Sequence, residues 1–248
     1  MSSTDGTERT PGSSHFSAHE NCGRLVGMSL VTAVCRVDRL LPDSGTIGVT
    51  AIDKRPVDGP VRIRPLGLYA DVQADRKHHG GADQAVYAYA DEDAAYFADL
   101  LDRDVPPGLF GENLRTSGID VTGAVTGERW RIGETLELEV TIPRIPCGTF
   151  ARRMRVDKWV KRFTEEGRPG AYLRVVRSGP VSAGDPVVVT RRPDHGVTIG
   201  QLFRGLTPEQ AEAVLASGHG PGPGGPGTGG LAPKVVREAS KVLARTTA

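Results

Sequence analysis

Cysteine is scarce in this chain of 248 residues. Cys22, Cys35 and Cys147 form an odd set without paired short spacing, which argues against a disulfide framework and against a zinc knuckle. Neither H-E-x-x-H nor C-x-x-C occurs to support zinc elsewhere. The thiols therefore read as reduced. An excess of charge is also missing. Lys and Arg number 31 against 30 Asp and Glu, a net charge of +1, so no global field draws nucleic acid or an anionic membrane and any basic site has to be local. Long apolar runs are lacking too: Leu25 to Val37 is broken by Ser29, Thr32 and Arg36 and is too short to span a bilayer. Met1 to Glu20 has no apolar core of the secretory kind. These absences predict a cytoplasmic protein with a disordered N-terminal extension over residues 1–22.

Turn-forming residues are abundant, with 32 Gly and 18 Pro, and many turns suit short strands. Leu136, Leu138, Val140 and Ile142 alternate with Thr135, Glu137, Glu139 and Thr141, the period of a half-buried strand. Further strands are predicted at Leu25–Val37, Thr46–Ile52, Val61–Arg64, Gln84–Ala90, Ala171–Arg177 and Pro186–Arg191. About seven short strands suggest a barrel or a sandwich rather than a βαβ array. Two helices interrupt them. Asp91 to Leu101 opens with three acids, favourable at a helix N-terminus. Val156, Trp159, Val160 and Phe163 follow helical spacing, and their stripe is expected to pack on the sheet.

A β domain over residues 23–192 and a helical module over 193–248 follow from the change of pattern after Pro193. Thr198 with Gln201, and Thr207 with Pro208 and Gln210, are N-cap signals. Gly218 to Gly230 reads as a Gly/Pro-rich linker, followed by a helix from Lys234 to Arg245. Gly222, Gly224 and Gly227 formally spell G-x-G-x-x-G. Pro223 and Pro226 fall inside it, no strand precedes it, and the match carries no nucleotide site. The helices between Thr198 and Ser217 faintly suggest a helix-turn-helix, but Glu209 and Glu212 repel phosphates and Arg204 is their one cation.

Three segments carry candidate chemistry. Pro143-Arg144-Ile145-Pro146-Cys147 presents a thiol just past a strand end from a backbone stiffened by two prolines. Arg144, Arg152, Arg153, Arg155, Lys158, Lys161 and Arg162 around it favour a thiolate, the nucleophilic and metal-binding form. The competing reading makes Cys147 a small buried hydrophobe beside a solvated helix face. Cys22 and Cys35 lack such cations and read as structural. His79-Gly80-Gly81 can present an imidazole to a closely approaching ligand, or it is an ordinary turn. Gly111-Glu112-Asn113 after Phe110 is equally open between a site and a bulge.

Taken in order, His79-Gly80-Gly81, Tyr87-Ala88-Tyr89, Phe110-Gly111-Glu112-Asn113-Leu114 and Pro143-Arg144-x-Pro146-Cys147 resemble the MOSC domain, named for the C-terminal domain of molybdenum-cofactor sulfurases. The chain is similar to the stand-alone YiiM-type group of that family, whose members end in a small three-helix module. The resemblance implies a bent, antiparallel MOSC-type β-barrel with a few inserted helices, a small helical appendage, and the cysteine at one mouth. It implies the molybdenum cofactor (molybdopterin), with Cys147 as metal ligand or persulfide carrier and Arg144 at the pterin phosphate. Gly80 and Gly81 would lie along the cofactor. His79 and Asn113 would orient oxo groups or substrate, and Glu112 would relay a proton. The implied reaction is reduction of N-hydroxylated small molecules such as hydroxylaminopurine base analogues. A separate reductase would supply electrons, because no flavin or iron–sulfur motif is visible. Sulfur transfer through a Cys147 persulfide and a non-catalytic ligand-binding module are the competing functions. Ala70 departs from the family pattern, where many relatives have glycine before the aspartate of this cluster.

Overall fold

The computed structural model describes residues 1, 28–45, 47–72, 80–217 and 230–246. The N-terminal extension through Gly27, including Cys22, and residues 218–229 of the Gly/Pro segment lie outside the described residues. In chain order the strands are β1 (Leu30–Val37), β2 (Leu41–Pro42), β3 (Val49–Thr50), β4 (Lys54–Pro56), β5 (Val61–Arg64), β6 (Gly67–Leu68) and β7 (Val86–Ala90). After them come β8 (Leu114–Ser117), β9 (Arg129–Ile132), β10 (Leu136–Pro143), β11 (Ala171–Arg177), β12 (Gly179–Val181) and β13 (Val187–Arg191). The helices are α1 (Asp91–Leu101), α2 (Gly148–Met154), α3 (Trp159–Glu166), α4 (Ile199–Arg204), α5 (Pro208–Ala216) and α6 (Pro233–Thr246).

Eight strands join in the order β13-β9-β10-β11-β7-β8-β1-β4, antiparallel throughout except for the parallel seam of β7 with β8. The sheet curls back on itself. Val187 N–H donates to Ser29 C=O at 2.8 Å, Val31 N–H to Asp185 C=O at 2.9 Å and Gly184 N–H to Val31 C=O at 2.7 Å. The lead-in to β13 thus satisfies the edge of β1 that β8 leaves open, as barrel closure requires. Inside lies a mostly aliphatic core of Val31, Leu114, Ile132, Leu138, Val140 and Leu173 around the Trp130 ring.

A second core lies outside the barrel wall. Along β7, Val86, Ala88 and Ala90 face inward, whereas Tyr87 and Tyr89 face an aromatic cluster of Phe97, Phe110, Phe150, Trp159 and Phe163. The period of two places alternate residues on opposite faces, and both faces here are covered. The helix predicted from Val156 is in fact two. Arg155 at φ 53° ends α2, Lys158 at φ 51° precedes α3, and Val156 lies between them. Only Trp159 and Phe163 of the stripe reach the cluster as fully buried rings.

The prediction of a half-buried β10 is also corrected. Glu139 and Thr141 are buried as well. Glu139 pairs with Arg129 at 2.9 Å, and the Thr141 hydroxyl sits 2.6 Å from Asp83 C=O and 2.8 Å from Tyr172 C=O. A strand with β9 and β11 on its edges and helices on its outer face has no solvated side. Those helices are held by both expected capping boxes, Thr198 with Gln201 and Thr207 with Gln210. Val197, Ala211, Val214, Val235 and Ala239 pack against Ile142 of β10.

Ala70 adopts φ 60°, a conformation that costs an L-residue roughly 1–2 kcal/mol relative to glycine. Ala70→Gly is expected to raise stability by about 0.5–1 kcal/mol, part of the gain being offset by the greater chain entropy of glycine. Denaturant unfolding measures this, and a destabilised variant contradicts it.

Candidate functional site

β10 ends at Pro143 and α2 begins at Gly148, with Cys147 in the extended N-cap position between them. This short connection places Arg144 and Cys147 on one cleft of about 200 Å³, together with Thr149 of α2, Tyr87 of β7, Asn113 and Tyr172. The opposite wall is the β2–β3 hairpin and its continuation, including Asp43, Ile47, Val49 and Ile52. Cys147 is half-buried. Cys35, by contrast, is fully buried, and burial pushes its thiol up to about 12, so it stays protonated near neutrality.

Arg144 is 5% exposed, and its guanidinium carbon lies 3.5 Å from the centroid of the Phe150 ring. Tyr87 and Phe163 flank it at 5.9 and 5.8 Å. Cation–π contact offsets part of the desolvation cost, but Nη1 is buried with no hydrogen-bond partner among the described residues. Burial pushes the Tyr172 hydroxyl up, and Arg144 beside it partly opposes that shift. An arginine is always charged, so the cleft contains a cation with unused hydrogen-bonding capacity.

The remaining expected residues occupy different places. Asn113 lines the cleft but its amide is engaged: Oδ1 accepts from Tyr87 N–H at 3.2 Å, and Nδ2 donates to Asp71 at 2.8 Å and Cys35 C=O at 3.3 Å. Glu112 is fully buried and is absent from the cleft lining. Its carboxylate accepts from Gly108 N–H at 2.8 Å, Phe110 N–H at 3.1 Å and Arg115 Nε at 2.9 Å, with Arg115 Nη2 in further close contact. Gly80 N–H donates to Gln84 Oε1 at 3.1 Å, and Gly81 takes φ 89° ahead of a short 3₁₀ turn at Ala82–Gln84. His79 lies outside the described residues.

The cations around Cys147 do not all converge on the thiol. Arg152 pairs bidentately with Asp43 at 2.7 and 2.6 Å, Arg153 pairs with Asp53 at 2.6 Å, and Lys161 meets Glu165 at 3.7 Å. Arg152 interacts electrostatically with Cys147, and Arg144 shares its cleft. Lys54, which the sequence reading missed, is buried at the cleft with Nζ 2.7 Å from Asp71. Asp71 also accepts from Val37 N–H at 2.9 Å. Lys54 sits in a three-residue strand with no clear period, so no pattern announced it.

The curled, largely antiparallel sheet thus brings a half-buried thiol and a buried arginine with an unpartnered Nη1, among the described residues, into one cleft. The model for the MOSC domain matches residues 75–188. The chain is 32% identical over 150 residues to the uncharacterized protein YflK of Bacillus subtilis, covering 60% of this chain and 67% of that one. It is 34% identical over 147 residues to the protein YiiM of Escherichia coli, covering 58% of this chain and 65% of that one. A protein named Reductase from Gibberella moniliformis is 31% identical over 150 residues, of which the match spans 26% of the relative. The crystal structure of YiiM from Geobacillus stearothermophilus superposes with a TM-score of 0.65 at 22% identity, over 87% of this chain and 99% of that one. The chain belongs to the MOSC domain family and is YiiM-like.

Two outcomes test this geometry. The Arg152 guanidinium holds the Asp43 carboxyl below the usual carboxylate range against the opposing effect of burial, with Thr149 assisting. Because the folded value is depressed, the tether of the β2–β3 hairpin to α2 is fully present above the ordinary aspartate pKa of about 3.9. It is lost as pH falls through the lower folded value. Hydrogen exchange over 41–50 should accelerate only in that acid range in wild type, and already at neutral pH in Asp43→Asn. Glu112→Ala leaves Arg115, 1% exposed, as a buried charge without its main partner. A loss of about 3–5 kcal/mol is expected on denaturant unfolding.

Proposed function

We propose that this chain is an oxidoreductase that holds the molybdenum cofactor in the Cys147 cleft and reduces N-hydroxylated small molecules, hydroxylaminopurine base analogues among them. The observation that carries the reading is the coincidence, in one small cleft, of the Cys147 thiol with the buried Arg144 whose Nη1 has no partner among the described residues. The donor set fits the group. A thiolate is a soft ligand suited to molybdenum, and a planar guanidinium is suited to an anionic phosphate.

When bound, the cofactor supplies two-electron redox chemistry. Cys147 would ligate the metal and Arg144 would neutralise negative charge. The aromatic faces of Phe150 and Tyr87 keep the guanidinium oriented and exclude water from it. Asn113 and Lys54 act through Asp71 to fix the cleft wall, and Glu112 positions the loop of Gly108, Phe110 and Gly111. That loop role replaces the proton relay suggested by resemblance, because every short contact of the carboxylate is already used. His79, with Gly80 and Gly81 behind it, remains the residue proposed to orient the N–O group. Electrons would come from a separate reductase. No described helix is long and apolar enough to cross a membrane, and a cytoplasmic setting is part of the proposal. The fungal relative's name, Reductase, supports the reaction class.

Elemental analysis of protein from a host that makes the cofactor tests the reading. Wild type should carry molybdenum, Cys147→Ser should be strongly depleted, and Arg144→Gln should retain roughly tenfold less, the scale of one charge-assisted contact. Equal and negligible molybdenum in wild type and Cys147→Ser overturns it. A sulfur adduct confined to Cys147 in molybdenum-free protein would favour the sulfur-carrier alternative instead.

A further inference from the structure

Across the edge formed by Asp43, Thr50, Ile52, Lys54 and Thr149, the Cys147 cleft continues into a larger groove of about 510 Å³. The groove is strongly cationic in a chain whose net charge is only +1. Arg55, Arg103, Arg152, Arg153 and Arg155 line it, and Asp43 is the one acid among the described residues that do. Arg152 is neutralised by Asp43, and Lys54 by Asp71. The other cations outnumber the carboxylates within reach of them among the described residues. Arg153, Arg39 and Arg55 lie 2.6, 3.1 and 3.7 Å from Asp53, so three guanidiniums share one carboxylate. Burial opposes ionisation of Asp53, yet these arginines hold it below the usual range.

Unused donors point the same way. Arg153 Nε is buried without a hydrogen-bond partner among the described residues. Arg103 donates to Met154 C=O at 3.0 Å and has no carboxylate within ion-pair distance among the described residues. Arg155 is exposed at φ 53° with no side-chain partner among the described residues. Forked guanidiniums in excess over carboxylates match the geometry of a phosphoryl group. Beside the groove, the cleft rim is apolar: Ile47, Val49 and Val72 are all exposed and line the cleft. Such a rim suits the face of a planar base.

We propose that the groove is a phosphate subsite and that the compounds presented to the Cys147 cleft are nucleotides rather than free bases or nucleosides. The base lies against Ile47, Val49 and Val72, and the 5′-phosphate lies among Arg55, Arg153 and Arg155. The proposal rests on the reading above for the reacting N–O group, but the phosphate subsite stands or falls by binding alone.

Equilibrium dialysis of the full chain, purified from a host unable to make the cofactor, provides the test with adenosine 5′-monophosphate, adenosine and inorganic phosphate as probes. The monophosphate should bind at least about tenfold more tightly than adenosine, with phosphate competing and added salt weakening it. The double variant Arg55→Gln/Arg155→Gly should lose about tenfold for the monophosphate and nothing for adenosine, with thermal unfolding no lower than in wild type, since glycine suits the φ of 53° at position 155. Equal binding of monophosphate and adenosine, or an unaffected double variant, overturns the proposal. In cofactor-loaded protein the monophosphate should still bind. Loss of binding on loading would assign the groove to the cofactor's own phosphate and overturn the substrate assignment. Molybdenum retention in wild type and Cys147→Ser is read separately, so failure of the subsite and failure of the metal reading give different results.

Discussion

The buried guanidinium of Arg144 is the constraint around which the site is built. Removing a charge from water costs several kcal/mol unless geometry and hydrogen bonds compensate, and here compensation is partial. One face lies on Phe150, Tyr87 and Phe163 flank it, and Nη1 remains without a partner among the described residues. A chain optimised for stability alone would place an apolar residue there. What keeps Arg144 in place is the rigidity of its surroundings: Pro143 closes β10 behind it, and Phe150 is locked by edge contacts with Phe110, Trp159 and Phe163. The under-partnered cation is therefore pre-oriented, and an incoming anion has little reorganisation left to drive.

The aromatic cluster has a second consequence. Phe110 belongs to the Phe-Gly-Glu-Asn-Leu segment and Phe150 follows Cys147 by three residues, so two of the four sequence segments that carry the family resemblance are brought together by rings whose centroids lie 5.3 Å apart. The first segment is chiefly architectural. Gly108 at φ 87° has no room for a Cβ, which would approach Lys54 C=O to 2.4 Å, and Glu112 ties the loop by two backbone N–H groups while neutralising Arg115. The second carries the thiol and the guanidinium proposed to hold the cofactor. Its thiol and guanidinium are aligned by packing that the first segment maintains.

Much of this was legible in the sequence, and the misses have physical causes. α1 and β11 run between the predicted residues because acids at a helix start and alternating apolar residues are local signals. Both capping boxes were readable for the same reason. The short strands β4, β8 and β9 were not, since Lys54–Pro56, Leu114–Ser117 and Arg129–Ile132 carry charges whose burial depends on ion pairs with residues outside the strand itself. Arg115 in β8 is 1% exposed and pairs with Glu112, and Arg129 meets Glu139 across the sheet. At the candidate site, two prolines and a run of cations singled out Cys147, while the place proposed for Arg144 came from the resemblance; the structure puts both on one cleft. Lys54 and Asp43 were missed because each enters through tertiary contact alone.

That same tertiary assembly explains how a chain of almost balanced charge concentrates cations beside the Cys147 cleft. The cationic segment 152–155 does not form a continuous helical face. The turn at Arg155 and the αL residue Lys158 split it, sending Arg152, Arg153 and Arg155 to the groove while Trp159 and Phe163 enter the core. β4 brings Arg55 to the same place, and the loop after α1 brings Arg103. Carboxylates are present but rationed: Asp43 serves Arg152, and the buried Asp53 is shared among three arginines. Sharing one buried carboxylate holds the guanidiniums in fixed positions without cancelling their charge. A local positive potential next to the Cys147 cleft therefore follows from how the chain folds, although the overall composition gives no sign of it.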